Sequence, residues 1–414
     1  MMRLQIRFHF VIFSSMFCLG VVYTVYFLTG KPGMFKLNML SHELNRERTR
    51  GNVSLVQNAE KQRQDGVNTI TGTTNDTEAK LRKSSDPVEF RVFQDNGDHL
   101  MYLYDRLLTS VPWEPNPGNL AEFRKKLMNH TNSSFQEEFV LTNHNVRVGD
   151  RLPYSFTNTR PNTKKKFFYK LSKKFIAEDV PPISPLSGKR FKRCSVVGNS
   201  GILSNSSCGK EIDQSDYVIR SNLPPIRPHA ADAGWKTNLT TMNPSVAQRR
   251  FKNLKTKETI TSFVNTIGDY YGVLWLPCVA STAMIGLCFK AKHTLDHHGV
   301  RNPETSIANP FHYLAVIDFW KERNMTVFPT TGFYMTHLAL TMCEETHLYG
   351  FWPFPYRVPD RVTDTGTNMM RKVKYHYFDK IGSSKAHSMN DEFSLLLQMH
   401  VLGLLKLHVR DCGG

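Results

Sequence analysis

A short apolar strand that ends in a turn of small residues constrains the fold of this chain more than any other feature of the sequence. The run Arg193-Cys-Ser-Val-Val-Gly-Asn-Ser-Gly-Ile-Leu203 predicts a strand and a tight turn at 198–201, and Tyr217-Val-Ile-Arg220 predicts a second strand ending in Ser221-Asn222. Turns at the carboxyl ends of neighbouring parallel strands hold nucleotides in α/β proteins. Small residues let phosphate and ribose approach the backbone, and asparagine offers neutral donors and acceptors. The sequence therefore predicts a nucleotide site here.

Three common nucleotide or metal motifs are missing from the sequence. The turn at 198–201 is not Gly-x-Gly-x-x-Gly, and the chain has neither Gly-Lys-Ser/Thr nor Asp-x-Asp. A dinucleotide fingerprint and a P-loop are therefore both disfavoured. The missing Asp-x-Asp also removes the metal-binding motif that many sugar-nucleotide transferases use.

Apolar segments alternate with segments of helical periodicity along the second half of the chain. Further strands are predicted at 238–243, 272–276, 326–328 and 348–352, and helices at 99–110, 120–128, 312–323 and 331–343. Strands that alternate with helices are typical of an α/β fold with a mostly parallel sheet flanked by helices. We expect a single large Rossmann-like domain over 99–414.

Four segments in order resemble the motifs of the animal sialyltransferases, glycosyltransferase family 29. The run 193–222 is similar to the long motif of that family, and 329–352 is similar to its short motif. Tyr375-His-Tyr-Phe-Asp379 resembles the third motif, and His387 with Glu392 resembles the very short motif. Asn243-Pro-Ser245, Tyr349-Gly-Phe-Trp-Pro-Phe354 and Val373-Lys-Tyr-His376 are similar to the α2,8-sialyltransferase branch, nearest its polysialyltransferases and their relatives. The resemblance implies a variant of the GT-A fold.

The resemblance also implies a reaction and two catalytic histidines. Transfer of sialic acid from CMP-sialic acid turns a β-linked donor into an α-glycoside, so the configuration inverts in a direct displacement. His387 is the expected base, because an ordinary histidine pKa of ~6.5 leaves much of the residue neutral in a mildly acidic compartment. His376 is either a core histidine or, as the resemblance favours, a hydrogen-bond donor to the departing CMP phosphate. Glu392 is expected to have a helix-end or supporting role.

Ten residues are the donor contacts that the resemblance implies: Asn199, Ser200, Asn222, Asn243, Ser245, Thr330, Thr331, Gly332, Phe351 and Trp352. The Thr-Thr-Gly run opens a predicted helix, whose free N–H groups suit an anion, although ordinary capping would use the same residues. The two aromatic residues either pack near the cytidine or belong to the core. CMP leaves with less charge than a nucleoside diphosphate, so we expect no metal and no other cofactor.

Seven cysteines are present, none in a Cys-x-x-Cys pair. In an oxidising compartment most of them should form disulfides, but the sequence alone does not give the connectivity. The resemblance implies two bonds, Cys194–Cys343 and Cys208–Cys412. Cys18 lies in the apolar run at 8–28. Cys278 and Cys288 are left over, and they either bond to each other or stay free and buried.

An apolar run at 8–28 is about long enough to cross a bilayer. Its flanking charges are nearly balanced and no small-x-small cleavage site follows it. We expect a cytoplasmic tail at 1–7, an uncleaved signal-anchor at 8–28 and a polar, unfolded stem at 29–98. The catalytic domain at 99–414 would then lie in the Golgi lumen as part of a type II membrane protein. The alternative is a cleaved signal peptide. In either case the bulk of the chain enters the secretory lumen, which nearly excludes nucleic acid as a partner.

Charge and sequons agree with a lumenal protein that meets anionic partners. The formal net charge is +17, which predicts an anionic membrane surface or substrate. Of the seven Asn-x-Ser/Thr sequons, we expect those near the stem to be glycosylated, namely Asn52, Asn75, Asn129 and Asn132. The lysine-rich stretch at 164–193 with interleaved aromatic residues is either a solvated helix or a docking surface for a sialylated acceptor.

Two departures from the family pattern matter. Ser221 stands where the family usually has a cysteine, which is commonly unpaired, so serine should be tolerated. The segment 278–323 is less basic than in the polysialyltransferases, which favours mono- or oligosialylation. The expected function is α2,8 transfer to a sialylated glycoprotein or glycolipid. A homo-oligomer is compatible with this expectation. The alternatives are α2,3 or α2,6 transfer to galactose or N-acetylgalactosamine, an inactive lumenal sialoside-binding protein, and a basic membrane- or heparin-binding protein.

Overall fold

A computed structural model describes residues 101, 108, 112–132, 134–155, 167–325, 327–357, 371–382 and 387–412. The predicted tail, anchor and stem, the sequons at Asn52 and Asn75, and most of the helix predicted at 99–110 lie outside these residues. Within the described part, no helix combines the length and the apolar character that a membrane span requires.

A seven-stranded parallel sheet forms the centre of the described part. Its strands are β3 (Phe191–Val197), β4 (Tyr217–Arg220), β5 (Leu239–Thr241), β6 (Val273–Leu276), β7 (Glu304–Ile307), β8 (Cys343–Tyr349) and β11 (Lys406–His408). Strands β4, β5 and β6 are buried along their whole length, as expected for parallel strands covered on both faces. Two short antiparallel pairs stand apart: β1 (Arg151–Pro153) with β2 (Phe168–Lys170), and β9 (Tyr356–Arg357) with β10 (Arg371–Lys372).

Helices connect and cover these strands. In chain order they are α1 (Pro117–Thr131), α2 (Phe135–Glu138), α3 (Lys173–Asp179), α4 (Gly209–Asp213), α5 (Ala230–Ala233), α6 (Pro244–Arg249), α7 (Lys257–Ile267), α8 (Ile285–His297), α9 (Pro310–Lys321), α10 (Thr331–Met342) and α11 (Met389–Val401). Helix α10 is buried from Phe333 to Met342, which is typical of a helix enclosed in a core. The predicted α/β class with a mostly parallel sheet flanked by helices is confirmed.

The order of the strands fixes where a ligand can enter the sheet. The order is β11-β8-β3-β4-β5-β6-β7. The chain moves from β3 towards β7 and then returns to the other side of β3 with β8, so the order reverses between β3 and β8. In open α/β sheets the crevice at such a reversal, at the carboxyl ends of the strands, is where ligands bind.

Two predicted boundaries around β8 are wrong. Val327 and Phe328 are not in a strand, and the Phe328 carbonyl accepts a hydrogen bond from His387 at 2.8 Å instead. Strand β8 begins at Cys343 rather than at the predicted Leu348, because the backbone turns extended there, with φ −122° and ψ 140°. The first residues of β8 are the polar run Cys-Glu-Glu-Thr-His, which does not have the apolar pattern of a buried strand. The prediction therefore began only at the apolar residues that follow.

The basic stretch at 164–193 is not one helix. The part from Phe168 to Lys170 is strand β2, and only Lys173 to Asp179 is helical. Phe167 and Phe168 are exposed, whereas Phe175 is buried. Lys164, Lys165 and Lys166 lie outside the described residues. The aromatic residues of this stretch are therefore divided between the surface and the core.

Three disulfides cross-link the described part: Cys194–Cys343, Cys208–Cys412 and Cys278–Cys288. The first two are the pairs that the resemblance implies. The third resolves the alternative left open for the remaining two cysteines. The first two bonds join cysteines that are 149 and 204 residues apart in sequence. A bond that closes so long a loop contributes roughly 2–5 kcal/mol to stability.

Two buried histidines should make the domain sensitive to acid. Burial lowers the pKa of His312 to about 3 and that of His337 to about 4. His337 accepts a hydrogen bond at Nε2 from the Trp320 indole at 2.7 Å, so a proton there would face an N–H donor. Because the unfolded chain binds these protons below about pH 6.5 and the folded chain does not, stability falls as pH falls, by about 2 kcal/mol per histidine at pH 5.

The variant His337→Gln tests this effect. It is expected to remove roughly 3–6 °C from the fall in Tm between pH 7 and pH 5. His298→Ala, which changes an exposed histidine just after α8, serves as the control and should keep the full fall. An unchanged fall in His337→Gln would show that this histidine is not held neutral.

Candidate functional site

The turns after β3 and β8 interlock at the point where the strand order reverses. Gly198 donates from its backbone N–H to the Tyr349 carbonyl at 2.7 Å, and Ser200 donates to the Gly350 carbonyl at 3.0 Å. A Cβ atom at Gly198 would lie 2.5 Å from the Gly350 oxygen. Gly350 has φ +72°, a conformation that glycine adopts without strain. Small residues are therefore required here by the close approach of two backbones.

The Asn199 side chain bridges the first two predicted strand ends. Its Nδ2 donates to the Ser221 carbonyl at 3.0 Å. Among the described residues, Asn199 Oδ1 and the Ser221 hydroxyl are buried without a hydrogen-bond partner. Buried polar atoms are nearly always satisfied, so these two atoms indicate a ligand that offers hydroxyl or amino groups. Ser221, expected only to be tolerated in place of cysteine, is thus a candidate contact that sequence reasoning missed.

Ser200 has a different environment from its neighbour. Its hydroxyl donates to the Trp352 carbonyl at 2.9 Å and is buried. The hydroxyl also accepts a hydrogen bond from Ile202 N–H. Ser200 therefore joins the β3 turn to the β8 turn, since its hydroxyl, its N–H and its carbonyl all have partners within the protein.

Asn222, Asn243 and Thr331 form a chain of hydrogen bonds from β4 to α10. Asn222 has φ +64°, and its Oδ1 accepts from the backbone N–H of Asn243 at 3.1 Å. The Asn243 Nδ2 donates to the Thr331 hydroxyl at 3.1 Å. Three residues far apart in sequence, each predicted as a donor contact, are thus brought together at one edge of the sheet.

The first residues of α10 are locked by a buried carboxyl group. Thr330 caps the helix by accepting from Phe333 N–H at 3.1 Å. Glu392 accepts from the Thr330 backbone N–H and contacts the Thr330 hydroxyl, both at 2.6 Å. Burial raises the pKa of Glu392 to about 8. Glu392 is therefore largely neutral near pH 7, and it fixes Thr330 rather than touching the cleft itself.

Two substitutions of Glu392 test whether its hydrogen bonds to Thr330 support activity. Glu392→Ala is expected to lower kcat/KM by roughly 10- to 100-fold, the cost of one or two buried hydrogen bonds to the α10 start. Glu392→Gln keeps a donor and an acceptor and should recover most of that loss. Initial rates of transfer for the three proteins measure these losses, and equal losses in both variants would contradict the prediction.

The two predicted catalytic histidines share one arrangement of their rings. His387 Nδ1 lies 2.8 Å from the Phe328 carbonyl, and His376 Nδ1 lies 2.9 Å from Asp379 Oδ1. A carbonyl and a carboxylate only accept, so Nδ1 carries the proton in both rings. Each neutral ring therefore has Nε2 as an acceptor, and His376 can donate from Nε2 when charged. Such pairing of Nδ1 fixes the tautomer and the ring orientation.

The third motif is joined to the β3 turn by its backbone. The Tyr377 backbone N–H donates to the Asn199 carbonyl at 2.9 Å, and the Gly201 N–H donates to the Lys374 carbonyl at 2.9 Å. A Cβ atom at Gly201 would lie 2.6 Å from that carbonyl oxygen. These contacts hold the segment that carries His376 against the predicted phosphate turn.

A cavity of about 180 Å³ lies beside His387. Asn243, Ser245 and Thr331 line it together with His387, so it joins the predicted sialic acid contacts to the predicted base. Most of the remaining lining comes from Ser155, from the end of β6 and the residues after it, and from residues 308–313 around the start of α9. Sequence reasoning missed these residues, because no motif marks them and they follow strands or turns without a recognisable pattern.

The two aromatic residues after β8 have different surroundings. A Cβ atom at Gly332 would lie 3.1 Å from the Phe351 ring, so Phe351 packs against the start of α10. Trp352 is buried, donates from its indole to the Tyr356 carbonyl at 2.8 Å and packs edge to face against Phe393. Of the two alternatives for this pair, Trp352 fits the core and Phe351 borders the site.

One group of metal-ligand side chains occurs among the described residues, away from the cavity. Glu211, His408 and Cys412 have ligand atoms within 4.8 Å of one another. Cys412 is bonded to Cys208, so its sulfur is not a free thiolate. This group therefore does not have the chemistry of a cysteine-containing metal site.

Interlocked small-residue turns, an anchored helix start and two oriented histidines at a sheet reversal define a nucleotide-dependent group-transfer enzyme. The model of glycosyltransferase family 29 (sialyltransferase) matches residues 129–404. The chain is 33% identical over 320 residues to human alpha-2,8-sialyltransferase 8F, covering 76% of this chain and 74% of that protein. It is 34% identical over 308 residues to the alpha-N-acetylneuraminide alpha-2,8-sialyltransferase of Xenopus laevis, covering 72% and 78%.

The chain belongs to glycosyltransferase family 29, the sialyltransferases. A crystal structure of a mammalian sialyltransferase in complex with Gal-beta-1-3GalNAc-ortho-nitrophenol covers 81% of this chain and 94% of its own, at 18% identity and a TM-score of 0.37.

Proposed function

We propose that this enzyme transfers sialic acid from CMP-sialic acid to a sialic acid at the end of a glycan, forming an α2,8 linkage. The α2,8 names of relatives 32–34% identical over about three quarters of the chain support the linkage. The observation that carries the mechanism is His387, which borders a cavity beside Asn243 and Thr331 with Nε2 as its acceptor.

The proposed reaction is an inverting single displacement. The acceptor hydroxyl gives its proton to His387 Nε2 as its oxygen bonds to the anomeric carbon of the donor. The bond from that carbon to the phosphate oxygen breaks, and its electron pair leaves with CMP. His376, oriented by Asp379, donates a hydrogen bond to the phosphate as charge develops there. The carboxyl ends of β3 and β4, with Asn199, Ser200, Ser221 and Asn222, hold the nucleotide.

The proposal requires no metal ion. CMP leaves as a monophosphate ester, and a hydrogen bond from His376 with the N–H groups at the start of α10 can neutralise part of its charge. Helix α10 has twelve residues, and Thr330 caps it. Thr331 and Gly332, which follow this cap, are the proposed contacts to the donor.

The proposed organisation places this domain in the Golgi lumen as part of a type II membrane protein. Residues 1–7 form the cytoplasmic tail, 8–28 the signal-anchor, 29–98 the stem and 99–414 the catalytic domain. Asn129 and Asn132 are exposed at the end of α1, which supports glycosylation at these two positions. Asn52 and Asn75 are the proposed sites in the stem. The acceptor is a sialylated glycoprotein or glycolipid, and the diluted charge at 278–323 favours addition of one or a few units.

The experiment uses the whole chain in membranes with CMP-sialic acid, EDTA and two acceptor sets, one ending in sialic acid and one in galactose. Linkage-specific sialidases and mass spectrometry identify the product. Transfer to sialic acid that resists EDTA supports the proposal. Transfer only to galactose would replace it with an α2,3 or α2,6 activity, and CMP binding without any transfer would indicate a sialoside-binding protein.

A further inference from the structure

Three Asn-x-Ser/Thr sequons of the catalytic domain lie outside the proposed glycosylation sites. They begin at Asn205, Asn238 and Asn324, and the sequence rule for N-glycosylation treats them alike. A glycan is bulky, so it requires a position at the surface. Thr326 of the last sequon lies outside the described residues. The other two sequons are described throughout, and their surroundings differ.

Asn205 lies in an exposed turn between β3 and α4. Asn205 and Ser207, the two residues that define the sequon, are both exposed. Their backbones are left-handed, with φ +58° and +56°, a conformation that asparagine adopts more readily than most residues. Among the described residues, the Asn205 side chain forms no hydrogen bond, whereas its backbone N–H is paired. The amide nitrogen of the Asn205 side chain is therefore free to react.

Backbone hydrogen bonds fix this turn without using the Asn205 side chain. The Asp232 carboxylate accepts from the Asn205 N–H at 2.7 Å and from the Ser207 N–H at 3.0 Å. The Ser206 carbonyl accepts from the Cys412 N–H at 2.8 Å. A glycan on the Asn205 side chain would leave each of these bonds in place. The folded domain can therefore accommodate a glycan at this position.

Asn238 immediately precedes β5 and is held on both sides by the sheet. Its Oδ1 accepts from the Val218 N–H at 2.9 Å, and its carbonyl accepts from the Val273 N–H at 2.9 Å. Leu239 and Thr240, which complete the sequon, are fully buried. A glycosylating enzyme must recognise the asparagine together with the hydroxyl group of the third residue. It cannot reach this sequon once β5 lies between β4 and β6.

The order in which the chain is made extends this difference. The backbone partners of Asn238 are at positions 218 and 273, so β5 can pair soon after it is made. The turn at Asn205 is completed only by Cys412, which bonds to Cys208 at a sequence separation of 204 residues. At about 5–20 residues per second, synthesis of such a stretch takes roughly 10–40 s. Asn205 is therefore accessible for longer than Asn238 during folding, and it stays exposed afterwards.

We propose that Asn205 carries an N-linked glycan and that Asn238 stays unmodified. The inference rests on the proposed lumenal location, because the donor, a lipid diphosphate oligosaccharide, is used in the secretory pathway. The Asn205 Nδ2 bonds to the anomeric carbon of the oligosaccharide and loses a proton. The bond from that carbon to the phosphate oxygen breaks, and the lipid diphosphate leaves with the electron pair.

Site occupancy in the whole chain, expressed in animal cells, provides the test. An amidase that releases N-glycans in heavy-oxygen water converts each modified asparagine into a labelled aspartate. Mass spectrometry of the peptides then reads each sequon separately. We expect label at Asn205 in most chains and none at Asn238. An unlabelled Asn205, or more label at Asn238 than at Asn205, would overturn the assignment.

Matched variants remove one sequon at a time. Ser207→Ala keeps Asn205 but removes its sequon, and Asn205→Gly tolerates the positive φ, so each should lose one glycan. Thr240→Val removes the sequon at Asn238. Because the Thr240 Oγ1 is buried without a hydrogen-bond partner in the described part of the chain, this change should keep every glycan and should not lower Tm. An unchanged number of glycans in Ser207→Ala and Asn205→Gly would contradict the proposal.

Failure of this inference differs from failure of the proposed organisation. If Asn129 or Asn132 is labelled while Asn205 is not, the domain is lumenal and only the assignment of Asn205 falls. If no sequon of the chain is labelled, the proposed lumenal location and this inference fall together. The linkage that the enzyme forms affects neither result.

Discussion

Replacing His387 with alanine is expected to lower kcat for sialyl transfer by roughly 10²- to 10⁴-fold, the usual contribution of a positioned general base. The ring borders the cavity, and its Nδ1 is occupied by the Phe328 carbonyl, so loss of the imidazole removes the acceptor at Nε2. Among the described residues, the turns proposed to hold the nucleotide form no hydrogen bond with this ring. The affinity for CMP should therefore stay within about twofold of that of the unchanged enzyme.

Single-turnover transfer and calorimetric CMP binding measure the two effects separately. His298→Ala, which removes an exposed histidine, is the matched control and should transfer normally. A kcat within a factor of three of the unchanged enzyme would exclude His387 as the base. A parallel loss of CMP affinity would instead indicate that the substitution disturbs the donor site.

Replacing His376 with alanine is expected to lower kcat/KM by roughly 10²- to 10³-fold, as the loss of one hydrogen-bond donor to a developing anion does. The physical reason for this loss of activity differs from the reason given for His387. His376 is half-buried, paired with Asp379 and joined to the β3 turn through its neighbours Lys374 and Tyr377. Its imidazole is the proposed contact to the phosphate, so the affinity for CMP should also fall, by about tenfold.

The variant Asp379→Asn distinguishes the orientation of the His376 ring from the contact that this ring makes with the phosphate. It weakens the hold on Nδ1 but keeps the imidazole, so its activity should lie between that of the unchanged enzyme and that of His376→Ala. CMP binding to all three proteins is measured by the same titration. If His376→Ala binds CMP as tightly as the unchanged enzyme, His376 is a core histidine with satisfied hydrogen bonds, the alternative that the sequence left open.

Much of the fold could be predicted from local pattern. The strands at β3, β4, β5 and β6 are short apolar runs bounded by turn residues, and α10 ends at the residue before the predicted boundary. The strand predicted at 326–328 failed because Val327 and Phe328 precede a proline and take part in the loop that holds His387. The first half of β8 was missed because backbone pairing with β3, of Cys343 with Phe191 and of Glu345 with Arg193, keeps it in the sheet although its glutamates are not buried.

The sequence by itself determined that small residues and asparagines follow two parallel strands, that a helix starts at a Thr-Thr-Gly run, and that two histidines follow in later motifs. These are local patterns, and short-range sterics and hydrogen bonding suffice to specify them. They were enough to indicate a nucleotide site and its family.

Only the tertiary structure decided which side chains meet. The order of the strands reverses beside β3, and this reversal brings the turn after β8 against the turn after β3. It also decided that Trp352 is in the core, that Glu392 holds Thr330, and that Ser155, Ser281 and Tyr313 share a cavity with His387. These residues lie tens to hundreds of positions apart, and packing of distant segments around one sheet, rather than any local preference, sets their contacts.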